Sequence, residues 1–586
     1  MVPRTQTPST TGADPALPPG LVATLADGVA DARVYGAWFP DEVRRLRVAG
    51  RLLVIAGHCL ADDETIRAGF AAAVEHDDPV LLTRWRGAYA GVAALPGELV
   101  AFTDLAGQFP LHYSHHQGQF ALASHASVLA ALHARTVDPI HAAVRIACPS
   151  VLPLWAEHSP FRGVSRLPGG VLLRAGRGGV RLSTYSAAAP SLRAALTEAV
   201  AARCATGPIS ADFSGGLDST SLAFLAARQV RVEAIVYHHP QHPAADLAEA
   251  VAFARHDERL RLTTVTGNAG TLPYAALPYP ELLGTEPARA NLAWRRSLLR
   301  LEQAAALHLT GEGGDALLGA APSYLGALAR RGRWRSLARH CAGQARLRRT
   351  SALGLAVRAG KLAGTGPRRA LLVLGRDLRE PRPSELTWAS AVTWWPVDRA
   401  VLSWLTHAAR AEIADRLSDP GLAGQVDAGA GAAHQAGLTE LRHSADAQRH
   451  LRELGVLAGT RVHAPYLDNA VVRACLAVPP ERRAHPAVSK PLLGAALHDL
   501  VPRAVFARRT KGDYSAEEYQ GARVSARRLY RLIDGSRLAE LGVVEPKAVR
   551  ESLDRLLVGA AAPLGGMSMF IATECWLRGS DDPHDW

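Results

Sequence analysis

Apolar and polar positions change rhythm twice along this chain. From about residue 21 to 185, short apolar runs are broken by turn residues, as at 51–57, 87–93, 98–103, 119–124 and 170–174. Runs of that length and spacing predict strands, with helices over 63–75 and 127–134. After Tyr185 the pattern turns helical over 191–203. Strand and helix then alternate: strand 208–213, helix 219–228, strand 231–237, helix 244–257, strand 261–266. That alternation predicts a parallel sheet with crossover helices. From about residue 290 the pattern is mostly helical, and no repeat of fixed period appears. The change of texture places a domain boundary at Ala187-Ala-Ala-Pro190, and residues 1–20 read as a flexible lead.

Composition narrows the class. The chain has 586 residues, 48% hydrophobic and 20% charged, which describes a globular protein of two to four domains. Its net charge of +12 invites a nucleic-acid or membrane reading. The charge is local, however. No Asp or Glu occurs from residue 316 to 376, and residues 330–369 carry 12 Arg and Lys, as many as the whole excess. Just Tyr324 and Trp334 accompany this block, too few aromatics for a nucleic-acid face. Solvated helix faces are the plain explanation. The sharper one is a rim that attracts an acidic peptide or a partner protein.

No run of about 18 apolar residues is present, so no membrane is required. The Pro- and Thr-rich start lacks a secretory signal, which predicts a cytoplasmic protein. The six cysteines are scattered without a CxxC pair and read as buried reduced thiols. The cluster at His238, His239 and His242 has no Cys or carboxylate to complete a metal set, and Trp394-Trp395 reads as core.

One segment carries chemistry: Asp212-Phe-Ser-Gly-Gly-Leu-Asp-Ser-Thr220. It follows a predicted strand and opens a predicted helix. Small residues there leave backbone N–H groups free at a helix N-terminus, which attracts anions. Two adjacent glycines let the backbone approach a phosphate closely. Asp218 would repel phosphate unless a cation lay between them, which implies Mg²⁺. A Walker loop is absent. A second Gly-rich turn, Leu309-Thr-Gly-Glu-Gly-Gly-Asp-Ala-Leu-Leu-Gly319, carries two carboxylates three positions apart. Its Asp315 could complete the Mg²⁺ shell.

The first loop resembles the SGGxDS pyrophosphate loop of the ATP pyrophosphatases. The second resembles the SGEGSDE turn of asparagine synthetase. Arg461-Val-His-Ala-Pro-Tyr-Leu-Asp468, Lys490-Pro-Leu-Leu and the segment from Pro502 to Tyr514 resemble further motifs of that family. The resemblance implies an ATP and Mg²⁺ site. Ser214, Gly215, Gly216, Leu217, Asp218 and Ser219 would hold the phosphates. Val236 and Gly311 would border the nucleoside, and Asp218 and Asp315 would hold the metal. Glu312 would face the reacting carboxylate, and Lys511 would contact the phosphates and the forming tetrahedral centre. Asp468 would either organise the site wall or cap a turn.

Residues 21–186 resemble the class II amidotransferase half of the same family, through the stretches at 84–90, 102–113 and 123–125. That half needs a Cys at the mature N-terminus. Here Val2 follows Met1 and the first cysteine is Cys59. The expectation is a degenerate glutaminase-like domain that delivers no ammonia, a remnant or a docking surface. The expected fold is therefore α/β. An Ntn-like, sheet-rich α+β sandwich precedes a PP-loop, adenine nucleotide alpha hydrolase-like domain over 190–586, parallel α/β at first and largely helical towards its C-terminus.

Without ammonia the amine must come from elsewhere. Residues 509–521 and 468–475 resemble the lasso peptide cyclases of this family. That resemblance implies a precursor peptide as substrate, activated at an Asp or Glu side chain and closed into a macrolactam, with a leader-binding protein and a leader peptidase as pathway partners. The alternatives are a β-lactam synthetase-like enzyme, an ammonia-dependent asparagine synthetase and, from another class, a basic binding or scaffold protein.

Overall fold

A computed structural model describes residues 18–205, 207–277, 286–381, 386–426, 429–508 and 515–579. It is mixed α/β, with antiparallel sheets first and a parallel sheet later.

Two antiparallel sheets build the N-terminal part. One runs Val29–Tyr35, Gly20–Ala26, Gln119–Ala123, Leu111–His116, Ser165–Leu167. The other runs Gly179–Thr184, Val171–Gly176, Glu98–Phe102, Gly87–Leu95, Arg51–Cys59, Val43–Val48. The strand Arg51–Cys59 explains the layering. Leu52, Val54 and Ala56 point into the core between the sheets. Leu53 and Ile55 point the other way, onto Ile66 and Phe70 of the helix Asp63–Glu75. A strand covered on both faces must be apolar at every position, which is why it shows as a continuous run. The helix Ala126–Leu132 covers the outer face of the first sheet through Leu129. The result is a helix–sheet–sheet–helix sandwich.

Six strands missed by the sequence pattern belong to these sheets: Gly20–Ala26, Val29–Tyr35, Val43–Val48, Leu111–His116, Ser165–Leu167 and Gly179–Thr184. Four of them are sheet edges. Val43–Val48 has three arginines among six residues, a composition suited to an edge that must resist further pairing.

The second sheet system is wholly parallel, in the order Leu260–Thr266, Val232–His238, Ile209–Asp212, Leu307–Leu309, Arg461–His463. The last two strands have three residues each, too short to show a period. Helices Leu192–Cys204, Leu217–Ala227 and Ala245–Ala254 pack around the sheet core. Ligands of such sheets bind beyond the carboxyl ends of the strands. Here those ends carry both Gly-rich turns.

The remaining chain is helical. Its largest core joins the helix Pro139–Ala147 of the N-terminal part to Leu325, Leu355, Leu371, Trp394, Trp395, Trp404 and Phe570. Each large apolar side chain buried there contributes about 1.5–3 kcal/mol. Hence the helical region folds back onto the sandwich. The 28-residue helix Gly431–Ala458 runs beneath both parts. Its Asp446 accepts from Arg145 at 3.1 Å and from Arg166 at 3.0 Å, both from the N-terminal part. Its Arg442 donates to the carbonyls of Leu105 and Gly169. Among the described residues no helix is long and apolar enough to cross a membrane.

Candidate active site

The central strand Ile209–Asp212 ends in the first Gly-rich loop. Asp212 is held in place by Arg300 at 2.8 Å and His308 at 3.3 Å. Burial opposes its ionisation, but those two groups outweigh it and keep the carboxyl down at about 2. The loop then turns through Gly215 at φ +69°, a left-handed conformation that glycine adopts without strain. Gly216 caps the helix Leu217–Ala227 without a side-chain capping bond. The first N–H groups of an 11-residue helix therefore face the loop, with the positive end of its dipole. Ser214 and Ser219 hydroxyls meet at 3.0 Å and close the loop.

The second turn presses directly on the first. A Cβ on Gly314 would lie 2.5 Å from Cγ of Asp218, and one on Gly311 would lie 3.0 Å from the Ser219 nitrogen. The absence of side chains at these glycines is what allows the contact. Asp315 stands in the first turn of the short helix Gly314–Leu318. Lys490 reaches in from a third segment. Its ammonium lies 2.7 Å from Asp315 and bonds Asp218 as well. Two carboxylates that share one cation are near enough to share another, so Asp218 and Asp315 fit as ligands of Mg²⁺.

A cavity of about 360 Å³ lies over these groups, lined by Ser214, Gly216, Leu217, Asp218, Ser219, Gly311, Glu312, Asp315, Lys490 and Arg508. Through Glu312, Arg296 and Arg300 it adjoins a chamber of about 930 Å³. The chamber wall includes Arg145, Pro149 and Ser150 of the N-terminal part, and His443, Asp446 and His450 of the long helix. Glu440 also lines it, and burial among protein groups pushes its carboxyl up.

The structure brings most of the expected residues together. Gly215 sits behind the loop, where an added Cβ would meet Arg508 and the Asp246 backbone. The Val236 side chain is 1% exposed in the sheet core, so only its backbone could face a nucleotide. Its neighbours Ile235 and Tyr237 line the cavity instead, as strand alternation requires. Lys511 lies outside the described residues, as do residues 509–514. Arg296, Arg300 and Arg508 were not singled out by sequence. One arginine among 62 carries no local signal, and only the fold collects these three.

Asp468 stands at the N-cap position of the helix Asn469–Leu476, but its side chain is engaged elsewhere. Both its oxygens accept from Arg203 at 2.7 Å, and it makes no side-chain capping bond. Nearby, Glu42, His58 and His463 form a buried cluster, with the two imidazoles stacked at 3.5 Å. It does not read as a cation site. Arg203 donates to Nδ1 of His463 at 3.0 Å, which leaves the hydrogen on Nε2, the nitrogen facing Glu42. Arg452 adds a second positive charge beside Glu42. All six cysteines are buried, and burial pushes the Cys59 thiol up to about 11. None is placed as a nucleophile.

Residues 191–578 match the protein family described as asparagine synthase. No curated protein matches the chain. Among solved structures, glutamine phosphoribosylpyrophosphate amidotransferase from B. subtilis, complexed with ADP and GMP, is 11% identical over 43% of this chain, with a TM-score of 0.19. The allosteric regulatory enzyme of purine biosynthesis is 11% identical over 54%, also at 0.19. The chain spans 60% of the length of the former and 71% of the latter. Overlaps at that score carry no argument about the fold.

Proposed function

The chain belongs to the asparagine synthase family, and from that premise we propose that it is an ATP-dependent amide ligase. In this reading it adenylates an Asp or Glu side chain of a precursor peptide and joins it to the peptide's own N-terminal amine, forming the macrolactam of a lasso peptide. The observation that carries the reading is the chamber. Small-molecule pockets run from roughly 300 to 1,000 Å³. The nucleotide-sized cavity is at the low end of that range and the adjoining chamber, about 930 Å³, near its top. A free amino acid and ammonia would leave most of it vacant, whereas a folded peptide segment would fill it.

The residues then take these parts. Backbone N–H groups of the Ser214–Ser219 loop receive the departing pyrophosphate at the helix N-terminus. Asp218 and Asp315 would hold Mg²⁺, which supplies neutralising charge at the phosphates when bound. Lys490 and Arg508 add fixed positive charge on the same wall. Lys511, by resemblance, stabilises the oxyanion. Glu312 stands where the cavity meets the chamber, placed to orient the carboxylate or to take the amine's proton. Holding amine and acyl group in one chamber makes the attack intramolecular, which supplies much of the rate. The N-terminal sandwich serves as chamber wall, and a cytoplasmic leader-binding protein and leader peptidase prepare the substrate.

The test is incubation with a short precursor peptide encoded beside this gene, ATP and Mg²⁺. A product lighter by one water is expected, together with AMP and pyrophosphate. Formation of ADP would overturn the adenylation step. An amide formed just as well from free aspartate and ammonium would favour the ammonia-dependent reading. Lys511→Ala is expected to abolish turnover while leaving the fold intact.

A further inference from the structure

We propose that the basic helical block docks the protein on an anionic lipid bilayer. Three consecutive helices carry the observation: Trp334–Arg348, Ala352–Ala363 and Pro367–Arg379. Each has an inward stripe in the main helical core, Leu337 and Cys341, then Leu355, Ala359 and Leu362, then Leu371, Leu374 and Leu378. Their outward faces are not simply polar. Leu353 is 75% exposed, Leu347 and Trp334 63% and Val357 50%, with Leu372 and Val373 also exposed. None of these is a misplaced core residue, because the core stripe of each helix is already filled.

The outward apolar groups alternate with cations at helical spacing. Leu353, Val357 and Lys361 follow one another at four-residue steps, and so do Arg368, Leu372 and Arg376. Residues that far apart lie on one helix face. Arg331 pairs with Glu481, but Arg346, Arg349, Arg358, Lys361, Arg368 and Arg369 meet no carboxylate among the described residues. Exposed leucine and tryptophan beside unpaired arginine, with no acid from residue 316 to 376, match a surface that lies in a lipid headgroup layer. Arginine stems cover apolar area while their guanidinium heads meet phosphate. What favours lipid over a single protein partner is the spread of exposed aliphatic groups and cations over three consecutive helices with no acid among residues 316 to 376. No residue of these three helices lines the nucleotide cavity or the chamber, so docking does not draw on the proposed catalytic groups.

Purified full-length protein is sedimented with phosphatidylcholine vesicles, with and without phosphatidylglycerol. Binding is expected to be about tenfold or more tighter to the anionic vesicles and to weaken as salt rises. The double variant Leu353→Asp, Val357→Asp is expected to lose most of this binding, and the charge reversal R346E/R349E/R358E/R368E all of it. Both should keep the parent's ATP-dependent activity and circular dichroism. No preference for anionic vesicles, or unchanged binding by folded variants, would overturn the proposal. Capture of an acidic protein without vesicle binding would overturn it too, in favour of a protein partner.

Discussion

The ammonium of Lys490 lies 2.7 Å from a carboxylate oxygen of Asp315. It bonds Asp218 from the same position, so one cation ties the two Gly-rich turns together. Lys490 is itself held in a left-handed conformation at φ +49°, just before the helix Pro491–Leu497. Backbone strain of this kind persists where the surroundings fix it, and it marks a positioned residue.

Removing either end of this arrangement should separate catalysis from stability. The Asp315 side chain is 62% exposed, so Asp315→Ala should leave unfolding free energy within about 0.5 kcal/mol of the parent. Turnover should nevertheless fall about 10²–10³-fold, the usual consequence of losing an electrostatic stabiliser. Lys490→Met should lose activity similarly. Steady-state release of pyrophosphate checks both, and normal turnover in Asp315→Ala would refute its place in the site.

The contact between the turns predicts a second effect. In Gly314→Ala the new Cβ would overlap Asp218, at 2.5 Å from Cγ and 2.9 Å from Cβ. Relief requires the loop to move, at a cost of about 1–3 kcal/mol. Nucleotide affinity should fall with it. Gly319→Ala, whose nearest neighbour would be a backbone oxygen at 3.5 Å, is the control and should behave as the parent. Equal nucleotide binding in the two variants would show that the turns do not need this closeness.

Much of this was legible in the sequence, for identifiable reasons. The helix 63–75 and the parallel strands around 209–266 have clear periods and appear within a few residues of their expected ends. The phosphate loop announced itself because its glycines and serines serve local backbone geometry. Which side chains of the strand Val232–His238 face the cavity, Ile235 and Tyr237, is decided by the pleat, which the motif alone does not show. Arg300, Arg508 and the large chamber had no sequence signal, since they join segments up to several hundred residues apart. The outward leucines of the basic block were equally hidden, because a leucine in a helical pattern is ordinarily a core residue.

The buried pair Arg203–Asp468 supports a prediction about stability. Both side chains are nearly inaccessible, and Arg203 donates twice to Asp468 at 2.7 Å. Asp468→Ala removes the carboxylate from a buried guanidinium and should cost about 3–5 kcal/mol, even though Arg203 keeps its bonds to His463 and the Ala199 carbonyl. Urea unfolding measures it. A loss below about 1 kcal/mol would show that Arg203 finds another partner at little cost.

Asp212 supplies the pH dependence. Burial alone would raise its carboxyl, but Arg300 and His308 lower it from 3.8 to about 2 in the folded protein. A depressed carboxyl contributes stability above its unfolded value, and that contribution is lost as pH falls through the folded one. The difference corresponds to about 2 kcal/mol, present above about pH 4 and gone below about pH 2. Asp212→Asn removes the titration and keeps the shape. The stability gap between parent and variant should therefore be widest near neutrality and close as pH drops from 4 to 2. Urea unfolding across that range gives the gap directly. If it stays constant with pH, Asp212 is not the ionised partner of Arg300, and the strand end before the phosphate loop is held by packing instead.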